Sequence, residues 1–188
     1  FKNKKTKLLA FGDITFDTIA TQTTKRINKW QNLNYTETEL ELLNEYCKKS
    51  NNCTMRAITE TRAQEATVHE LLRKNNNDIL HFATHGFFNE LIDDSKLKDE
   101  ESKSGGKRFK TSENPLQRCG LLLTNGNATW TSNSTHKNNY DGILTGLEIS
   151  NMNLNRTELV VLSTCDSGVG DIRFNEGVFG LQRAFKMA

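Results

Sequence analysis

The chain has 188 residues, 35% of them hydrophobic and 26% charged, with a formal net charge of +2. That length suits one ordinary domain with a sizeable core and leaves little room for a second. So small a charge argues against a nucleic acid or acidic membrane surface drawn in by bulk electrostatics, and no run approaches the roughly 18 apolar residues of a membrane span.

The elements follow in chain order. Lys2, Lys4, Lys5 and Lys7 form a short basic flank with no apolar segment behind it, so it reads as solvated rather than as a signal peptide. Leu8 to Phe11 is an apolar run ending at Gly12-Asp13, a buried strand and its turn. Thr36 with Glu39 forms a capping-box pattern ahead of Leu40, Leu42, Leu43 and Tyr46, predicting an amphipathic helix. Cys53 to Ile58 is a second strand, and Thr67 with Glu70 repeats the capping-box pattern for a helix that breaks at Asn75-Asn76-Asn77.

Asp78 to Thr84 is the third strand. The polar run Asn89 to Asn114 is expected to be a mobile loop or lid, and Asn125 to Asn139 a second loop insertion holding Trp130 and His136. Between them Gly120 to Thr124 is a short strand. Leu144 to Ile149 is a short helix, Leu159 to Ser163 a strand, and Gly177 to Lys186 a closing helix. Continuous apolar strands alternating with helices predict an α/β domain whose mostly parallel central sheet is covered on both faces.

Two of these strands end on reactive residues. His85, followed by Gly86, comes just after the third strand, and Cys165 just after the strand that ends at Ser163. Open parallel sheets bind ligands beyond the carboxyl ends of their strands, and neighbouring strands lie only about 5 Å apart. A thiol needs a base, being only a few per cent thiolate at neutral pH, and an imidazole serves both to take the proton and to return it to a leaving amine. Gly86 allows close approach of a substrate carbonyl, so its N–H and that of Cys165 are the candidate oxyanion hole. Asp166 beside Cys165 opposes thiolate formation.

The other cysteines, Cys47, Cys53 and Cys119, show neither CxxC spacing nor a disulfide framework and are expected to be reduced structural thiols, which points to a cytoplasmic protein. His81 shares a strand face with His85 but lacks a third ligand, so a buried, hydrogen-bonded core histidine is expected and no metal. His69 and His136 are expected to be solvated. No cofactor is implied.

The motifs HFATHGFF (His81 to Phe88), NPLQRCGLLLT (from Asn114), DGILTGLEI (from Asp141), ELVVLSTCDSGVGD (from Glu158) and NEGVFGLQRAF (from Asn175) stand in an order that resembles the CHAT domain family. These are caspase-like domains of the caspase, separase and gingipain clan, often fused to tetratricopeptide repeats. The resemblance implies a three-layer α/β/α fold, with Cys165 as nucleophile, His85 as general base and Gly86 in the oxyanion hole. It places Ser163 at the S1 pocket and Asp141 in an Asp-Gly element serving either the fold or the substrate; Glu176 reads as a helix-start residue. Asn175 stands where the family commonly has Gly. The resemblance further implies strands beyond Ala188 that help build the S1 pocket, so the chain, which opens on Phe1, is expected to be part of a longer protein.

The function expected is a cysteine endopeptidase acting on a protein or peptide substrate, joined to or associated with helical repeats, without direct nucleic-acid contact. The alternatives are a caspase-like scaffold that binds partners without turnover, which the presence of both dyad residues opposes, and a thiol acyl hydrolase on small substrates with 89–114 as its lid.

Overall fold

The computed structural model describes residues 5–17, 29–93, 95, 105–131, 140–164 and 174–188, with side chains of the last stretch from Phe179 onward. Four strands form the main sheet: β1 (Thr6–Ile14), β2 (Cys53–Glu60), β3 (Ile79–Ala83) and β7 (Leu159–Ser163), in the order β2-β1-β3-β7. All three pairings are parallel. A second, antiparallel sheet of β4 (Gly86–Phe88), β5 (Cys119–Leu122) and β6 (Ile143–Thr145) has the order β4-β5-β6. The helices are α1 (Thr36–Ser50), α2 (Glu65–Arg73), α3 (Lys107–Lys110), α4 (Gly126–Thr131), α5 (Gly146–Ser150) and α6 (Phe174–Met187).

Side-chain alternation divides the layers. Ala10 on β1 and Ala83 on β3 face Leu40 of α1, and these small residues let the helix lie close to the sheet. On the opposite face, Leu9, Phe11, Leu80 and Phe82 enter a larger cluster with Val68, Leu71 and Leu72 of α2, Leu181 of α6 and the second sheet. Phe11 and Phe82 stack at 5.0 Å between centroids, and Phe185 of α6 packs on Phe82 at 5.9 Å. Each of the two fully buried rings, Phe11 and Phe82, contributes about 1.5–3 kcal/mol over an exposed one. The result is an α/β fold with a parallel sheet flanked by helices, the three-layer caspase-like arrangement.

Several expectations are corrected. Cys47, at the end of α1, and Cys53, at the start of β2, are joined in a disulfide rather than left as reduced thiols. The short link between these elements brings their Cα atoms to 4.9 Å, within bridging range. The cysteine pattern therefore no longer argues for a reducing compartment.

Neither expected capping box forms. Tyr35 is the N-cap of α1. The Thr36 hydroxyl accepts from Asp13 N at 2.9 Å and donates to Leu33 O at 3.0 Å, while Glu39 is drawn to the sheet. Helix α2 begins at Glu65, so Thr67 lies inside it. A capping box does form further along the chain: Thr145 accepts from Glu148 N at 3.3 Å and the Glu148 carboxylate takes Thr145 N at 2.7 Å, starting α5.

The polar runs also hold packed structure. Phe109 of α3 and Trp130 of α4 are buried and stack on each other at 5.9 Å, with Phe87 against both. Gly105 and Gly106, both at positive φ, let the backbone press onto the Trp130 indole. Among the described residues no helix is long and apolar enough to cross a membrane.

Candidate active site

The site forms where the chain leaves one sheet for the other. β3 pairs with β7 in constant register from Ile79↔Leu159 to Ala83↔Ser163. Thr84, fully buried, then donates its hydroxyl to Leu122 O at 2.6 Å, and His85 O accepts from Leu122 N at 2.9 Å. Gly86 begins β4 opposite Leu121. His85 is thus fixed at the seam by its own backbone.

Its side chain is 3% exposed. The imidazole packs against Phe16, at 5.1 Å, and Trp30, at 4.9 Å, both rings tilted. Nε2 stands 2.7 Å from Gln31 O. A carbonyl oxygen only accepts, so Nε2 carries the proton and Nδ1 is the basic nitrogen of the neutral ring.

Gly86 adjoins Thr164, the last described residue before Cys165: a Cβ on Gly86 would meet Thr164 Cβ and Oγ1 at 3.4 Å. Cys165 itself lies outside the described residues, as do His136 and the Glu176 side chain. Ser163 ends β7 and donates its hydroxyl to Glu39 Oε2 at 3.0 Å, while Glu39 Oε1 accepts from His81 Nε2 at 3.0 Å. His81 is the buried, hydrogen-bonded core histidine expected from the sequence. One α1 carboxylate therefore joins β3 to β7 just below the level of His85, a contact the capping-box reading of Glu39 missed.

Asp141 occupies a turn. Its Oδ1 accepts from Ile143 N at 3.0 Å, its Oδ2 pairs with Arg108, and its carbonyl accepts from Thr129 Oγ1 at 2.6 Å. Gly142 follows at φ +83°, where a Cβ would strike Thr124 O at 2.5 Å, so only glycine fits. Behind the turn, Oε2 of the buried Glu65 accepts from Asp141 N at 2.7 Å and Gly142 N at 2.9 Å. Burial first, then the negative charges of Glu148 and Asp141, push the Glu65 carboxyl up to about 8. These contacts give Asp141 a part in the fold. Nothing local singled out Glu65, since a carboxylate in the first turn of a helix is ordinarily a solvated partner of the dipole.

His69 is half-buried rather than fully solvated; it packs on Tyr140, and burial lowers its pKa. Cys119 is fully buried and burial raises its thiol to about 11, which makes it inert at neutral pH. Among the described residues there is no group of three or more His, Cys, Asp or Glu side chains placed to hold a metal ion.

No curated protein matches the chain. The family model for the CHAT domain matches residues 2–188, so the chain, with its histidine at the seam between two sheets, belongs to the CHAT domain family.

Proposed function

We propose that the chain is the cysteine endopeptidase domain of a longer protein and cleaves a protein substrate with a His85–Cys165 dyad. The observation that carries this reading is the β3–β7 register. The last paired couple is Ala83↔Ser163, and the base and the nucleophile each follow two residues later in their chains. The closeness of Gly86 and Thr164, which flank those two residues, supports the same reading, as does the family.

In the reaction His85 Nδ1 takes the thiol proton of Cys165. The thiolate attacks the scissile carbonyl carbon, and the negative oxygen is received by the N–H groups of Gly86 and Cys165. As the tetrahedral intermediate collapses, the C–N bond breaks and His85 returns the proton to the leaving amine. Water, deprotonated by His85, then hydrolyses the thioester and frees the thiol. The bond from Nε2 to Gln31 O persists throughout, since Nε2 carries its proton in both the neutral and the charged ring. Helical repeats in the same polypeptide or a partner would bring the substrate to the site.

The test uses the full-length protein with its candidate protein substrates. Cys165→Ala and His85→Ala should each abolish cleavage while circular dichroism shows a folded chain. Cleavage undiminished in either variant overturns the dyad.

A further inference from the structure

The rings that hold His85 come from two stretches far from it in sequence, and both stretches are tied to one residue on a third element. Asn127, in the first turn of α4, is 1% exposed. Its Oδ1 accepts from Trp30 N at 2.8 Å and its Nδ2 donates to Trp30 O at 2.9 Å. Its backbone N donates to Phe16 O at 3.2 Å. The backbone groups of Trp30 settle the orientation of the carboxamide, since an N–H only donates and a C=O only accepts.

We propose that Asn127 is a positioning residue for His85. Gripping Trp30 on both sides of its Cα fixes the direction of the indole, which lies 4.9 Å from the imidazole, and of the peptide that leads to Gln31. The carbonyl of Gln31 is thereby set on Nε2, and Nδ1 is kept as the base. The backbone bond to Phe16 steadies the second ring that packs on the imidazole. Two further contacts support the same clamp: Trp130 of α4 meets Trp30 edge to face at 5.2 Å, and Lys29 pairs with Asp17 at 3.1 Å, joining the stretches that carry Trp30 and Phe16.

Only a carboxamide supplies both halves of the grip. An aspartate keeps the acceptor and loses the donor, a serine is too short to reach both groups, and an alanine supplies neither. The inference rests on the reading of His85 as the catalytic base, but its first test does not.

That test is the imidazole tautomer, read from long-range ¹⁵N–¹H correlation spectra of the full-length chain labelled at histidine, with His85→Ala to assign the signals. At a pH where the ring is neutral, wild-type His85 should show a protonated Nε2 and a bare Nδ1; the reverse pattern overturns the proposal. In Asn127→Asp, the His85 signals should become an exchanging mixture of tautomers. If that variant does not fold, Asn127→Ser, which keeps one hydrogen bond, takes its place. Cleavage should then lose about 10- to 100-fold in kcat with KM unchanged, as expected for a displaced base. A folded variant with the wild-type tautomer and kcat refutes the role of Asn127. The tautomer can also be read in Cys165→Ala, so failure of the dyad and failure of the clamp are distinguished.

Discussion

Replacing Glu65 with glutamine tests the turn that secures the second sheet, and its signature is a change of pH dependence. Glu65 is 2% exposed and its carboxyl is raised from 4.5 to about 8, chiefly by burial. Between those two values the folded chain holds a proton on Glu65 that the unfolded chain has released. Stability from this group is therefore fully present below about pH 4.5 and is lost as pH rises towards 8. The slope approaches about 1.4 kcal/mol per pH unit for one proton. Glu148 and Asp141 share the local charge and spread the titration, so the whole window loses less than that slope implies.

His69 titrates nearby with the opposite sign. Burial lowers its pKa, so its contribution grows as pH rises through the folded value towards 6.5. Comparison of wild type with Glu65→Gln removes every contribution the two share. The amide oxygen of glutamine can still accept from Asp141 N and Gly142 N. Urea unfolding at pH 5, 6.5 and 8 should show the variant gaining on wild type at each step, by at least about 1 kcal/mol over the range. Stability curves that run parallel from pH 5 to pH 8 would refute a buried, neutral Glu65.

Three further outcomes follow from the contacts. Opening the disulfide by Cys53→Ser should cost about 2 kcal/mol, the loop-closure value for so short a link, seen as a Tm lowered by roughly 4–8 °C; an unchanged Tm in non-reducing buffer counts against the bond. Gly86→Ala should fold with a stability loss below about 1 kcal/mol, because its Cβ meets Thr164 at ordinary contact distance. Its kcat/KM should nevertheless fall about tenfold, or ~1.4 kcal/mol, because the Cβ crowds the substrate carbonyl while the N–H donor is kept; an undiminished value shows that the carbonyl needs no bare Cα at residue 86. Alkylation of the native chain at pH 8 should spare Cys119, whose thiol is buried and raised to about 11, and label it only on unfolding. If Cys165 reacts no faster than Cys119 under those conditions, the domain is a scaffold rather than a peptidase.

What the sequence disclosed and what it hid divide along the range of the interactions. Strands β3 and β7 were legible to within a residue because parallel strands read as near-continuous apolar runs, even though β7 is only half-buried among the described residues, and the positions just past their ends marked His85 and Cys165 as the residues of interest. The errors fell where a local motif competed with a distant partner. Glu39 stands correctly spaced for a capping box with Thr36, yet its carboxylate joins His81 and Ser163, which lie 42 and 124 residues away. Leaving the buried His81 and the half-buried Ser163 without a partner would cost more than one unmade cap contributes, so the long-range pair prevails. The three-residue strands β4 and β6 are too short to show a period, and the aromatic anchors Phe109 and Trp130 were obscured by their polar neighbours.

The environment of the candidate base shows the same limit more sharply. His85 and Gly86 could be read from a strand end, but nothing local connects His85 with Phe16, Trp30 or Asn127. The carboxamide grip on Trp30 spans 97 residues, and the Gln31 carbonyl reaches His85 across 54. A base needs two properties that arise in different ways. Its identity is a matter of residue type at a position, which a sequence displays. Its tautomer depends on which nitrogen meets an obligate acceptor, and here that acceptor is a backbone carbonyl, a group every residue carries. Side-chain patterns therefore could not have singled out Gln31, and the one side chain that betrays the arrangement, Asn127, lies in a polar run that reads as loop. The chemistry at the end of β3 was visible in the sequence; the parts that keep its proton on Nε2 become visible only when the chain is folded.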